Sequence, residues 1–173
     1  MKLNRFQNQL EILLANARVG STTVLYREEN KYYIDESNLD NLVFLDNGTQ
    51  FVITSEKSGY MHLYLYDLNG RERQAITKGN FDIIDFYGYD PVRKLFYYSS
   101  YEESPLEKYI YSINEKGLKK KLTPVKGWNE ASFSKNFNYY INVVSNTDTP
   151  PVTALYNAKG KQVRVLEDNK AVK

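Results

Sequence analysis

The sequence predicts an all-β protein: a partial β-propeller of about three and a half four-stranded antiparallel blades. Three observations carry this expectation. Of 173 residues, 14% are aromatic, 16 of them Tyr and 8 Phe, and flat rings pack well on a pleated, half-buried strand surface. A strand–turn–strand pattern recurs, with turn glycines 20, 70, 117 and 160 spaced by 50, 47 and 43 residues, and propeller blades typically repeat every ~40–50 residues. No segment sustains the apolar period of about 3.6 residues that a helix needs, so almost no helix is expected.

The elements follow in order. A half blade at 8–29 holds strands at 10–17 and 22–26 around Gly20. The blade at 41–77 opens with strands at 41–45 and 50–55. Asp46-Asn47-Gly48 joins them, supplying the positive φ angles that a tight hairpin requires. Strands at 61–67 and 73–77 follow, joined at Asn69-Gly70. The blade at 82–123 has strands at 83–87, 94–99, 108–114 and 119–123, with turns at Tyr89-Asp90-Pro91 and Gly117. The blade at 130–166 has strands at 131–134, 138–145, 152–157 and 161–166. Polar turns are expected at 55–59, 99–105 and 145–150. Closed propellers have about 4–8 blades, so these units form an arc, or close by association with another copy.

Composition excludes several functions. The charges nearly cancel, 23 Lys and Arg against 21 Asp and Glu for a net +2, which argues against nucleic acid as a partner. With no Cys and a single His, neither a disulfide framework nor a thiolate or two-imidazole metal site is expected. No cofactor is implied. No stretch approaches the roughly 20 apolar residues of a membrane span. The start, Met1-Lys2-Leu3-Asn4-Arg5, lacks a signal-peptide core, so the chain reads as cytoplasmic or as a trimmed piece of an exported protein.

The residues with chemical potential read mostly as structure. Alternation puts His62, Tyr64 and Tyr66 on one strand face, with His62 packed rather than catalytic. A nucleophilic serine needs an adjacent base, and neither a Gly-x-Ser-x-Gly elbow nor a second His exists. The acid pairs Glu28-Glu29, Asp35-Glu36 and Glu102-Glu103 read as solvated loop charges. Lys119-Lys120-Lys121 reads as a soluble strand edge. The strand tyrosines read as inter-blade packing and Trp128 as an inter-blade plug. Asn47-Gly48-Thr49 matches a glycosylation acceptor, but the hairpin turn explains it.

Several stretches resemble one family. Ser55-Glu56-Lys57-Ser58-Gly59-Tyr60-Met61-His62-Leu63-Tyr64-Leu65-Tyr66-Asp67 looks like the SE-x-x-G-x-x-HLYLYD stretch in the propeller of dipeptidyl peptidase IV-like enzymes. Ile76-Thr77-Lys78-Gly79-Asn80-Phe81-Asp82-Ile83 resembles their IT-x-G-x-W-x-V segment, with Phe81 in place of Trp. Tyr109-Ile110-Tyr111 with Leu122-Thr123 matches the next blade. Val165-Leu166-Glu167-Asp168-Asn169 resembles the LEDN segment that ends the propeller. Asn4-Arg5-Phe6-Gln7-Asn8 resembles the NR-x-QN that opens a strand pair in bacterial, Bacteroides-like members.

The resemblance implies a serine exopeptidase that removes N-terminal dipeptides with Pro or Ala second. In that family a propeller caps an α/β-hydrolase domain. This chain would be a non-catalytic part of it: no catalytic Ser, Asp or His, but a wall that gates the substrate cavity and docks the hydrolase domain of the same full-length chain. Peptides would be the substrate partners, and the periplasm or cell envelope the compartment. The family's amine-holding glutamates fall before Met1, and Tyr101-Glu102-Glu103 does not take their role. The substrate-proximal segment is Tyr32, Tyr33, Ile34 and Asp35. The alternative is a stand-alone propeller-like interaction scaffold. A glycan-processing propeller would need a facing carboxylate pair.

The chain alone is expected to self-associate. Its end faces would carry Leu10, Ile12 and Leu14 on one side and Val152, Leu155, Val163 and Val165 on the other. An unpaired edge near 8–16 would be open to another chain.

Overall fold

The computed structural model describes residues 1–35 and 41–172, and it divides into two compact units, 1–79 and 80–173. The first unit holds a three-stranded antiparallel sheet of β1 (Lys2–Leu3), β2 (Gln9–Ala15) and β3 (Thr22–Glu29). A four-stranded meander follows it: β4 (Val43–Phe44), β5 (Gln50–Ser55), β6 (His62–Asp67) and β7 (Glu72–Ala75). The second unit holds two further meanders. One comprises β8 (Ile83–Asp90), β9 (Leu95–Ser104), β10 (Glu107–Ile113) and β11 (Lys119–Lys121). The other comprises β12 (Trp128–Phe133), β13 (Tyr139–Ser145), β14 (Val152–Asn157) and β15 (Gln162–Glu167). One parallel bridge, Lys108 to Trp128, joins these two meanders. A 3-10 turn at Lys170–Val172 is the only helical element among the described residues. The all-β expectation is therefore met: open four-stranded antiparallel units of the kind that make propeller blades, and no closed barrel.

Local chemistry sets the repeat. Three turns share one design, in which an Asx residue opens the turn and a glycine ends it. Asp67 Oδ1 accepts the N–H groups of Asn69 and Arg71, both at 3.0 Å. Asn114 does the same for Lys116 and Leu118, and Asn157 for Lys159 and Lys161. Gly70, Gly117 and Gly160 close these turns at φ 75°, 79° and 79°, a left-handed conformation that favours glycine. Two of them also press on a neighbouring sheet. A Cβ at Gly70 would stand 2.9 Å from the Leu25 carbonyl oxygen, and one at Gly160 2.8 Å from that of Leu122. Past the last strand of two meanders a threonine locks the sheet: Thr77 accepts the Leu63 N–H and Thr123 that of Ile110, each at 3.0 Å.

Aromatic rings fill both cores. In the first unit Phe51 pairs across the strands with Tyr66, and Ile53 with Tyr64. These four pack with Leu10, Leu25, Tyr26 and Ile34. Tyr66 stacks on Phe51 and meets Tyr26 edge-on, with ring centres 5.4 and 5.1 Å apart. In the second unit Tyr97, Ile110, Leu122, Tyr140, Ala154 and Tyr156 form the cluster, with Phe133 and Phe137 against it.

Several expectations change. The first sheet is three-stranded rather than a half blade, because Lys2 and Leu3 pair with Glu11 and Leu10 and cover part of the expected free edge. Leu10 is accordingly fully buried, whereas Leu14 is exposed. The turn expected at 89–91 shifts to 91–94, because β8 runs on to Asp90. The turn expected at 99–105 is largely strand, because β9 continues to Ser104 past a bulge against β10. Glu102 and Glu103 lie in that strand and pair with Lys119 and Lys121 of β11, while Lys120 donates to the Lys159 carbonyl, so two of the three lysines of this edge strand are neutralised by its neighbours. Trp128 is no plug. The residue is 40% exposed, its indole N–H donates to Glu130 at 3.2 Å, and the Lys108 ammonium lies 5.0 Å from the ring centre. Val163 and Val165 are exposed, as expected of an end face, while Val152 and Leu155 are half-buried.

Candidate functional site

The expected substrate-facing segment forms a small arch on the first unit. Where β3 ends, the Asn30 N–H donates to the Asn8 carbonyl at 2.9 Å. Asn30 Oδ1 accepts the Tyr32 N–H at 3.0 Å, turning the chain outward. The Ile34 N–H then returns to the Gln7 carbonyl at 2.5 Å. Tyr32 and Tyr33 at the crown are 74% and 60% exposed, with the Lys31 ammonium 5.3 Å from the Tyr32 ring centre. Ile34 corrects the expectation: it is buried in the core cluster and anchors the arch rather than facing outward. Asp35 is half-buried. Glu36, the other half of its acid pair, lies outside the described residues.

Beneath the arch is a pit with room for about one water, lined by Glu28, Asn30, Ile34, Asp35, Thr54, Ser55, Glu56 and Met61. Glu28 is not a solvated loop acid. It is 8% exposed on β3 and accepts hydrogen bonds from the Tyr26 hydroxyl and, at 2.9 Å, from Ser55 Oγ. Glu29, one residue on, is exposed, as strand alternation requires. Burial first, and the Glu28 charge second, push the Tyr26 phenol far above its ordinary range, so Tyr26 remains a donor.

His62 is interior, as expected. Its Nε2 is 3.0 Å from the Gly79 carbonyl and its Nδ1 3.1 Å from Thr77 Oγ1. A carbonyl can only accept, so Nε2 donates, and the ring spans β6 and the segment after β7.

One cluster escaped the sequence reading. Lys108, 4% exposed, lies between two carboxylates from different strands, Asp85 Oδ2 at 3.1 Å and Glu130 Oε1 at 3.7 Å. Asp85 also accepts from Ser99 Oγ at 2.7 Å and the Tyr87 hydroxyl at 3.3 Å. Burial raises the Asp85 carboxyl, but the Ser99 hydrogen bond and the Lys108 charge outweigh it and hold it below its ordinary value. This is a facing pair of acids, yet an ammonium fills the gap where a glycosidase would need substrate and water. Among the described residues no group of three or more His, Asp or Glu is placed to hold a metal ion, and no helix is long and apolar enough to cross a membrane.

The described residues thus form open antiparallel sheets, with an anchored aromatic arch on the first unit. The family model described as the dipeptidyl peptidase IV (DPP IV) N-terminal region matches residues 1–151. The crystal structure of Porphyromonas gingivalis dipeptidyl peptidase 4 superposes with a TM-score of 0.92 at 38% identity, over 98% of this chain and 24% of that one. Dipeptidyl peptidase 4 of Arthroderma otae is 29% identical over 182 residues, covering 98% of this chain and 23% of that protein. The chain belongs to the dipeptidyl peptidase IV N-terminal region family, and it spans about a quarter of the length of these relatives.

Proposed function

We propose that the chain is a propeller segment of a serine exopeptidase that releases N-terminal dipeptides with Pro or Ala second. In the full-length protein it walls and gates the substrate cavity, docks the α/β-hydrolase domain, and acts in the periplasm or cell envelope. The superposition on the P. gingivalis peptidase over 98% of the chain is the observation that carries this reading. Within it the arch is the substrate-proximal element. Tyr32 and Tyr33 present two large rings outward on a short segment pinned at both feet, the form a peptide contact takes when the site is held rigid.

The test is kinetic. The full-length protein should cleave a Gly-Pro chromogenic substrate, and the 173-residue chain alone should not. Tyr33→Ala in the full-length protein should raise KM or alter substrate preference with kcat little changed, since the residue contacts substrate without reacting. Unchanged kinetics over several peptide substrates would remove the arch from the site, and turnover by the chain alone would overturn the wall assignment.

A further inference from the structure

The stretch Asn4-Arg5-Phe6-Gln7-Asn8 marks the family by resemblance, and the structure gives it a task. It is the turn between β1 and β2, organised by one side chain. The Asn4 N–H donates to the Gln9 carbonyl at 3.1 Å, and the Asn4 carbonyl accepts the Gln7 N–H at 2.9 Å. Asn4 Oδ1 accepts the N–H groups of Asn8 and Gln9 at 3.0 and 3.1 Å, and Asn4 Nδ2 donates to Asn8 Oδ1 at 2.8 Å. Inside this clamp Gln7 is held at φ 53°, a left-handed conformation that a residue with a Cβ adopts only when its surroundings impose it.

The two carbonyls at the end of that turn are the two on which the arch stands. Gln7 C=O accepts the Ile34 N–H at 2.5 Å and Asn8 C=O accepts the Asn30 N–H at 2.9 Å. Residues 31–33, with both exposed tyrosines, lie between these feet. Both feet are backbone hydrogen bonds to this turn, and the Ile34 side chain adds an apolar anchor in the core cluster beside one of them. The Asn4 side chain makes three hydrogen bonds within that turn and the residue is only half-buried, so its loss removes the clamp without opening the apolar core.

We infer that Asn4 is a positioning residue for substrate recognition: it fixes the Gln7 and Asn8 carbonyls, and through them the Tyr32–Tyr33 arch. This rests on the proposed reading that the arch contacts substrate. The experiment uses the full-length peptidase, with Asn4→Ala, Asn4→Asp, Asn8→Ala and Tyr33→Ala compared by hydrogen exchange and by kinetics on one Gly-Pro substrate. Asn4→Ala should speed exchange at the Asn30 and Ile34 amides about tenfold, the scale of losing one or two hydrogen bonds under a locally opening segment. It should raise KM about as much as Tyr33→Ala does, with kcat within about twofold.

Asn4→Asp keeps the oxygen that accepts from Asn8 and Gln9, and its second oxygen replaces the donor, so that the Asn8 amide turns to donate its Nδ2 instead of accepting; it should therefore recover most of both effects. Asn8→Ala removes only the acceptor of that donor and should show a partial loss. It also serves as the informative variant if Asn4→Ala does not fold. Unchanged exchange at Asn30 and Ile34 in Asn4→Ala would overturn the inference whatever the kinetics. So would a KM that stays at the wild-type value while Tyr33→Ala raises it. If neither substitution moves KM, the substrate-contact reading falls, and the recognition role of Asn4 falls with it.

Discussion

Two adjacent tyrosines give the sharpest test of how this fold is held. Tyr97 and Tyr98 are fully buried, and their hydroxyl oxygens find no hydrogen-bond partner among the described residues. Tyr140 is equally buried, but its hydroxyl donates to the Leu122 carbonyl at 3.1 Å. The rings are similarly engaged: Tyr97 stacks on Phe137 at 4.9 Å and Tyr140 on Tyr156 at 5.1 Å. Removing each hydroxyl therefore leaves the stacks in place and changes the polar balance alone. An unmet buried hydroxyl costs about 1–3 kcal/mol of desolvation, while a made hydrogen bond contributes about 0.5–1.5 kcal/mol. The small void left by the oxygen offsets part of any gain.

Tyr97→Phe should accordingly be neutral or stabilising by up to about 1 kcal/mol, and Tyr140→Phe should cost about 1 kcal/mol. Burial first, and the Asp90 charge second, push the Tyr97 phenol up to about 12, so no ionised form confuses the comparison near neutral pH. Urea unfolding of the two variants, with an unchanged slope against denaturant, reads the difference directly. A Tyr97→Phe chain that loses as much stability as Tyr140→Phe would refute the assignment of an unmet hydroxyl. Tyr98→Phe, where the ring stacks on Tyr111 at 5.5 Å, gives an independent repeat.

The remaining expectations concern other parts of the chain. His62→Ala should lower stability by about 1–3 kcal/mol through two lost hydrogen bonds and a buried void, yet leave turnover of the full-length peptidase nearly unchanged; a well-folded variant with most activity gone would contradict its structural placement. The Asp85 carboxyl is held below its ordinary value. It thus contributes stability above that value and loses it as pH falls through the lowered one. Since the Asp85 side chain is 43% exposed, the effect should stay under about 1 kcal/mol. Urea midpoints between about pH 5 and pH 2 should fall more for the wild type than for Asp85→Asn, and identical acid limbs would remove the contribution. The 173-residue chain by itself should associate with a second copy, because the last sheet exposes Trp128, Tyr139, Ile141 and the edge strand β15. A concentration-independent 20.2 kDa species in sedimentation equilibrium would refute this.

The meanders were legible because their signals are local. An Asx residue, a glycine three positions on and alternating apolar residues on either side fix the hairpins at Gly70, Gly117 and Gly160 within about a dozen residues. What was not legible depends on partners distant in sequence. Glu102-Glu103-Ser104 reads as a polar loop, and it becomes strand because β9 continues against β10, with Ser104 opposite Glu107, while Lys119 and Lys121 of β11 reach its two acids. Glu28 reads as a solvated acid until Ser55, 27 residues on, folds against it. Lys108 and its two acids come from three different strands. In the arch the location was legible by resemblance, but Ile34 was grouped with its exposed neighbours. Its apolar side chain belongs to the core, and only the return of its N–H to Gln7 fixes which residue of the segment turns inward.

The glycines that close the repeated turns bear on how such a protein grows. Gly70 rests against the Leu25 carbonyl of the preceding sheet, and Gly160 against that of Leu122, with no space for a side chain at either place. The sheets β4–β7 and β12–β15 thus each carry a tooth at one turn, and the sheet before each carries the notch it enters, whereas Gly117, the equivalent glycine of β8–β11, meets nothing within 4 Å among the described residues. A tooth and its notch belong to two successive sheets, so copying such a pair whole copies a finished seam, and copying either sheet alone copies half of one. The turn glycine at these two seams therefore favours duplications that keep neighbouring sheets together.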